Sequence, residues 1–389
     1  MNARIRKTTE MLQREHVDLL VCRLPENVVF LSGYWPNTGD SLAVLTKHGE
    51  SAIFIPTSDQ RYAQSAWVDE IVTSTASDLE RSSAWLLADI DTMVKWLAGR
   101  FRSGVVGYEG SFETVAGSHI GGEVTVPSTK WKTILTERFP ASTLRDLTDP
   151  ICQERIVKTD DELQRIRLTN LIASDALDTV IPQVRPGLKE CQVAAMVESA
   201  VESEGYGFRT ALRARGFAFV QSGPVNSANG WWPFSISSER VIEEGDSVLI
   251  ELDAYADGYW CDLTRSFVVG PESEEQSEMR TEVLVARNYV LEALRSERVT
   301  CSQLDDIARQ SLQRKFPANA FPHKIGHGVG FAFHELPLLH PNVHDEIPTG
   351  TVLAIEPGLY IAGVGGYRLE DNVHVGINGL EILSTARVP

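Results

Sequence analysis

Apolar and polar positions follow two different textures along the chain. Up to about residue 155, short apolar runs are interleaved with stretches of helical spacing. Val17–Cys22, Ser41–Leu45 and Ser51–Ile55 predict short buried strands, with His48-Gly49-Glu50 as the turn between the last two. Ser83–Phe101 carries apolar residues at helical spacing and predicts a helix ending near Gly99; Gly104–Gly107 then restarts a strand. Helices and strands in alternation predict an α/β domain with a mixed sheet over residues 1–155. Nothing in this half gathers polar residues into a site.

A boundary is expected near Cys152–Lys158, giving a second domain over 156–389. Thr159-Asp160-Asp161-Glu162 is a capping-box sequence that should start a helix running towards Val184, stopped by Pro186-Gly187. Glu190–Glu204 reads as the next helix. Ser247–Asp253 and Tyr259–Val269 read as a hairpin, with Asp257-Gly258 as its turn. Helices are expected from about Gln276 to Arg295 and over Thr300–Phe316, the latter capped by Thr300 and Gln303. Gly-rich short strands fill the last seventy residues. Helices and strands are grouped here, so this half is α+β.

Composition narrows the function classes. The chain has 389 residues, with 36 Lys and Arg against 53 Asp and Glu, a net charge of −17. That balance argues against binding nucleic-acid backbones or an anionic membrane surface. No apolar run approaches the ~18 residues of a membrane span. The opening segment is charged and helix-like rather than a signal peptide. Five scattered cysteines without a Cys-x-x-Cys pair predict neither a disulfide framework nor a zinc ribbon, and point to the cytoplasm.

The chemistry is concentrated in the second half. Glu251, Asp253 and Asp262 interrupt apolar strands in VLIELDAYADGYWCDLTRSFVV, where acids are costly unless exposed, paired or bound to a cation. Glu251 and Asp253 share a strand face, and the hairpin brings Asp262 within reach. Spacing does not choose between Glu251 and Asp253 as the partner of Asp262. His323, His327 and His334 follow in HKIGHGVGFAFHELP, where glycines bracket His327 so that backbone or substrate can approach it. Glu356 ends an apolar strand and Glu370 precedes another. Taken alone, each glutamate reads as a solvated strand end. Taken together, Glu251, Asp262, His327, Glu356 and Glu370 offer four carboxylates and an imidazole, which two divalent cations would neutralise. Oxygen-rich ligation of this kind suits Mn, Fe, Co or Zn. Two such ions ~3.5–4 Å apart can hold and activate a hydroxide near neutral pH.

These motifs, in this order, resemble the superfamily of aminopeptidase P, prolidase, methionine aminopeptidase and creatinase. The resemblance rests on EEGDSVLIELDAYADGYWCDLTRSFVVG, HKIGHGVGFAFHE, AIEPGLY and YRLEDNV. Pro25-Glu26-Asn27-Val28 through Leu31-Ser32-Gly33-Tyr34 resembles the creatinase-type N-terminal domain, and the second half the pita-bread catalytic domain. The resemblance implies that Glu251, Asp262, His327, Glu356 and Glu370 hold two divalent ions, with Mn favoured. It implies that His323 and His334 steady the substrate carbonyl or its tetrahedral intermediate, and it matches Arg368 to the arginine of an Arg-x-Glu motif. Two positions depart from the pattern. Glu251 stands where relatives carry aspartate. Phe234 stands where relatives usually carry a substrate-facing histidine, and with Trp231 and Trp232 it makes an aromatic cluster that suits either an apolar pocket or the core.

The expectation is a cytoplasmic, dinuclear metal-dependent hydrolase of the Xaa-Pro aminopeptidase or prolidase type, acting on a small peptide or amide, with Glu356 or Glu370 as general base and acid. Relatives imply a homodimer. The alternatives are a metal-dependent hydrolase or lyase with a non-peptide substrate, and a catalytically inactive binding protein.

Overall fold

A computed structural model describes residues 2–37, 41–74, 84–111, 129–232, 236–296 and 298–389. It divides into two compact units, Met1–Arg155 and Ile156–Pro389.

The first unit is a mixed six-stranded sheet. Helix α1 (Ala3–Arg14) leads to β1 (Leu19–Cys22), and α2 (Pro25–Ser32) to the meander β2 (Leu42–Thr46) and β3 (Ser51–Pro56). β4 (Glu70–Ser74), α3 (Ala84–Leu97), β5 (Val105–Tyr108), α4 (Thr129–Arg138), β6 (Thr143–Asp146) and α5 (Thr148–Ile156) complete it. The strand order is β4-β3-β2-β1-β5-β6. β1, β2 and β3 pair antiparallel, whereas β4, β5 and β6 join in parallel. The three central strands are buried along their whole length, which is why their sequences read as unbroken apolar runs. Edge strands β4 and β6 are largely exposed and polar, and so leave little hydrophobic signal.

One buried acid in this unit has a measurable consequence. α2 starts after Leu24 without a side-chain cap, and Glu109, just past the end of β5, holds the chain immediately before it. Its Oε1 accepts from the Arg23 N–H at 2.8 Å and the Leu24 N–H at 3.0 Å. Its Oε2 is buried without a hydrogen-bond partner. Burial pushes the carboxyl up from 4.5 to about 7, against the pull of those N–H groups. The folded chain therefore binds more protons than the unfolded chain between those two values. The stabilisation is complete below pH 4.5 and is lost as pH rises through 7. At ~1.4 kcal/mol per pH unit this amounts to roughly 3 kcal/mol. Glu109→Gln should flatten this part of the pH profile, which urea unfolding at pH 5 and pH 8 would measure; an unchanged slope would contradict it.

The second unit consists of paired helices outside and sheets inside. α6 (Asp160–Val180) starts at a capping box of Thr159 and Glu162, and α7 (Glu190–Gly205) packs beside it. They cover an antiparallel sheet of β7 (Ala214–Ser222), β8 (Ser247–Ala256) and β9 (Tyr259–Val268), with the short α8 (Gly223–Asn226) after β7. α9 (Glu274–Ser296) and α10 (Cys301–Leu312) cover a second sheet. Its strands are β10 (Gly326–Gly328), β11 (Glu335–Leu339), β12 (Val352–Ile355), β15 (Asp371–Gly376) and β16 (Gly379–Ile382). They lie in the order β11-β10-β12-β15-β16, beside a hairpin of β13 (Gly358–Ile361) and β14 (Gly365–Arg368).

The two-residue period of the strands decides which side chains meet. On β8, Ile250, Leu252 and Ala254 join the core under α6 and α7, as do Cys261 and Leu263 on β9. Their neighbours Glu251, Asp253, Asp262 and Thr264 therefore take the opposite face. Around the second sheet, Leu353, Ile355 and Leu369 join the core under α9 and α10, which turns Glu356, Arg368 and Glu370 the other way. The two sheets thus bring their polar faces together in the middle of the unit. Among the described residues, no helix is long and apolar enough to cross a membrane.

Candidate metal and active site

Backbone pairing sets the frame. Asp253 stands directly across from Asp262, and Glu251 across from Thr264. The Glu370 N–H donates to the Thr264 carbonyl at 3.1 Å, so β9 is tied to the segment that carries the last glutamate. Asn372 ties β9 to β15: its Oδ1 accepts from the Asp262 N–H at 3.2 Å and its Nδ2 donates to the Asp262 carbonyl at 2.8 Å. His327 on β10 pairs with Ala354 on β12, next to the strand end that carries Glu356. The bracketing glycines serve these backbone approaches. A Cβ on Gly326 would stand 2.0 Å from the Ala354 carbonyl oxygen, and one on Gly328 2.1 Å from that of Leu336.

The five residues expected to hold metal converge with Asp253 and His334. The His327 Nε2 lies 3.4 Å from Asp262 and 3.7 Å from Glu356, and the His334 Nε2 lies 3.5 Å from Asp262. Three sets each offer ligand atoms within 4.8 Å of one another: Asp262, His327 and His334; His327, Glu356 and Glu370; and Glu251, Asp253 and Asp262. His327 Nε2, Asp262 Oδ1 and Glu370 Oε1 are buried without a hydrogen-bond partner. Buried polar atoms are ordinarily satisfied, so three orphans converging among carboxylates fit a divalent cation site.

Electrostatics separate the acids. Burial pushes the Glu370 carboxyl well above the usual range, and the charges of Asp262 and Glu356 push it further. Asp253 is raised well above by burial and then by Asp262 and Glu251. Burial also raises Glu251, against the Arg368 guanidinium. Asp262 is held well below the ordinary value: burial opposes this, but His327 and His334 prevail. Glu356 is lowered despite burial by Lys324, His323 and His327. Burial takes both His323 and His334 down to about 4, so both imidazoles are neutral near pH 7.

Several participants leave no motif of their own in the sequence reading. Thr264 donates to Glu370 at 2.7 Å and accepts from the Arg368 Nε at 2.9 Å. The Tyr360 hydroxyl lies 3.0 Å from the His323 Nε2, and the His323 Nδ1 lies 3.7 Å from Glu356. Tyr360 follows Glu356 in AIEPGLY, the one signal that could have found it. Lys158 reaches Glu335, next in the chain to His334, in a buried 2.7 Å ion pair. The aromatic cluster is only partly placed. Trp231 and Trp232 stack with ring centroids 4.5 Å apart, and Trp232 is 57% exposed. Phe234 lies outside the described residues.

The sequence model of metallopeptidase family M24 matches residues 164–376, and that of the creatinase/prolidase N-terminal domain matches residues 4–157. The chain belongs to metallopeptidase family M24. It is therefore a hydrolase of the prolidase type, with the α/β and α+β pita-bread arrangement of that superfamily. It is 28% identical to an Xaa-Pro dipeptidase of Pyrococcus horikoshii, over 99% of this chain and 97% of the relative. The crystal structure of the prolidase from Pyrococcus horikoshii OT3 superimposes with a TM-score of 0.77 at 26% identity, covering 100% of this chain and 99% of the other. An X-Pro aminopeptidase from Thermotoga maritima shares the fold, with a TM-score of 0.78 at 24% identity over 98% of this chain and 99% of the other.

Proposed function

We propose that this M24 hydrolase cleaves small Xaa-Pro peptides at a site holding two divalent ions. Asp262, His327, Glu356 and Glu370 would hold them together with a hairpin carboxylate from Glu251 or Asp253. One observation carries this reading: the His327 Nε2, buried and without a hydrogen-bond partner, faces Asp262 and Glu356. When bound, such ions polarise a carbonyl and supply a nucleophile near neutral pH. The oxygen-rich donor set favours Mn, with Co, Zn and Fe as the other candidates. His334 is a neutral imidazole at the rim of the cluster, placed to stabilise a developing oxyanion, whereas neutral His323 spends its Nδ1–H on the Lys324 carbonyl and would act there by accepting from, and so orienting, the Tyr360 hydroxyl. Arg368 orients Glu251 and, through Thr264, Glu370. Glu356 and Glu370 are the carboxylates positioned to relay a proton. The partner is a small peptide, in keeping with the Xaa-Pro dipeptidase to which the chain is similar over nearly its full length. Five free cysteines agree with a cytoplasmic protein, for which we propose a homodimer.

A substrate panel tests the reading. Protein reconstituted with Mn or Co should cleave Xaa-Pro dipeptides in preference to longer Xaa-Pro peptides and to non-peptide amides. Turnover confined to non-peptide amides would transfer the site to a different substrate class.

A further inference from the structure

The hairpin carries one acid more than the cation site needs, and the structure treats the two candidates differently. Glu251 forms a close ion pair with Arg368. That guanidinium is buried and fixed from other directions: its Nε donates to Thr264 at 2.9 Å, and one terminal nitrogen lies 3.3 Å from the Gly230 carbonyl and 3.4 Å from the Tyr360 hydroxyl. If Glu251 turned to a cation, a buried guanidinium would lose its close carboxylate, and the cation would stand beside a like charge. Asp253, on the same strand face, stands closer in register to Asp262. It is fully buried, lies opposite Asp262 in the strand register, and has a carboxylate oxygen within 4.8 Å of the ligand atoms of Asp262 and Glu251. Two facing carboxylates in a dry interior repel unless a proton or a cation lies between them.

We propose that Asp253, rather than Glu251, supplies the first hairpin carboxylate to the cation site, while Glu251 stays with Arg368 as an outer partner. The assignment rests on the two-ion reading and refines it. With Glu251 neutralised by Arg368, the carboxylates left for two dications are Asp253, Asp262, Glu356 and Glu370, so charge balances as a unit. The orphaned His327 Nε2, Asp262 Oδ1 and Glu370 Oε1 mark this cluster as a ligand site independently of its acidity.

The test compares Mn binding to chelator-treated full-length parent, Asp253→Asn and Glu251→Gln, by calorimetric titration and by the electron paramagnetic resonance signal of free Mn. The parent should bind two ions. Asp253→Asn should lose one ion or weaken it at least about a hundredfold, because losing a ligand should cost at least as much as losing a group that merely orients one. Glu251→Gln should retain two ions with affinities within about tenfold. In the metal-free state Asp253→Asn should also raise the melting temperature, since it removes one of two facing carboxylates, and added Mn should stabilise it less than it stabilises the parent. Should Asp253→Asn fail to fold, Asp253→Ser carries the same expectations for binding. Two ions retained by the Asp253 variant and one lost by the Glu251 variant would overturn the assignment while leaving the two-ion reading intact. A parent that binds no ion would overturn both.

Discussion

His327→Ala is expected to abolish high-affinity binding of at least one divalent ion and to lower turnover by about 10³-fold or more, equivalent to ~4 kcal/mol of transition-state stabilisation. Loss of outer groups that orient a ligand already costs ~10–100-fold in affinity, and His327 is the imidazole whose Nε2 faces both Asp262 and Glu356. The fold should survive, because the two cores beneath the helix pairs lie on the strand faces opposite the site. His334→Ala makes the informative control. Its ring stands edge-on at 3.8 Å from that of His327, and its Nε2 lies 3.5 Å from Asp262. As a group acting on substrate, it should lose turnover while metal content, read by elemental analysis, stays at the parent value. Equal metal loss in both variants would make His334 a ligand.

Lys158→Met should destabilise the second unit by about 3–5 kcal/mol, the usual cost of removing one partner from a buried ion pair. The Lys158 side chain is fully buried, and Glu335 nearly so, at 2.7 Å. Their contact braces the segment from Gly330 to His334 from beneath; a Cβ on Gly330 would stand 2.6 Å from the Lys158 Cε. Pairing Lys158→Met with Glu335→Leu should recover most of the stability, because no uncompensated charge remains. It should not recover turnover, because His334 loses its brace and misplacement by about an ångström can cost ~10²-fold. Chemical denaturation of the two single variants and the double variant measures the first effect. A loss under about 1 kcal/mol for Lys158→Met would show that the pair contributes little.

Much of this site was readable because its residues violate their surroundings. Glu251, Asp253 and Asp262 stand out in strands otherwise made of Val, Ile, Leu and Ala, and His327 stands out between glycines. The strand period placed Glu251 and Asp253 on one face. Register, which needs the whole hairpin, was required to set Asp253 rather than Glu251 across from Asp262. Thr264, Tyr360 and the Lys158–Glu335 pair were hidden for a different reason: a threonine, a tyrosine and a lysine are ordinary residues until the sheets meet. The fold shows the same division. The strands Leu19–Cys22 and Ser51–Pro56 and the capped starts of Asp160–Val180 and Cys301–Leu312 follow local rules. The first of those helices ends at Val180, short of the expected Val184, because Pro182 turns the last residues into a tighter 3₁₀ turn. The second ends at Leu312, short of Phe316. β7 went unread because Arg215 and Gly216 break its apolar pattern, although its register with β8 runs unbroken from Ala214 to Ser222.

Hydrolysis of Xaa-Pro bonds by this chain would depend on divalent ions held by the buried cluster around His327. The most direct test of that dependence is proline release from a single Xaa-Pro dipeptide by chelator-treated protein, before and after addition of Mn or Co. Negligible release before and restored release after is the result predicted here. Undiminished release by protein shown to be metal-free, or none after reconstitution with either ion, would contradict it.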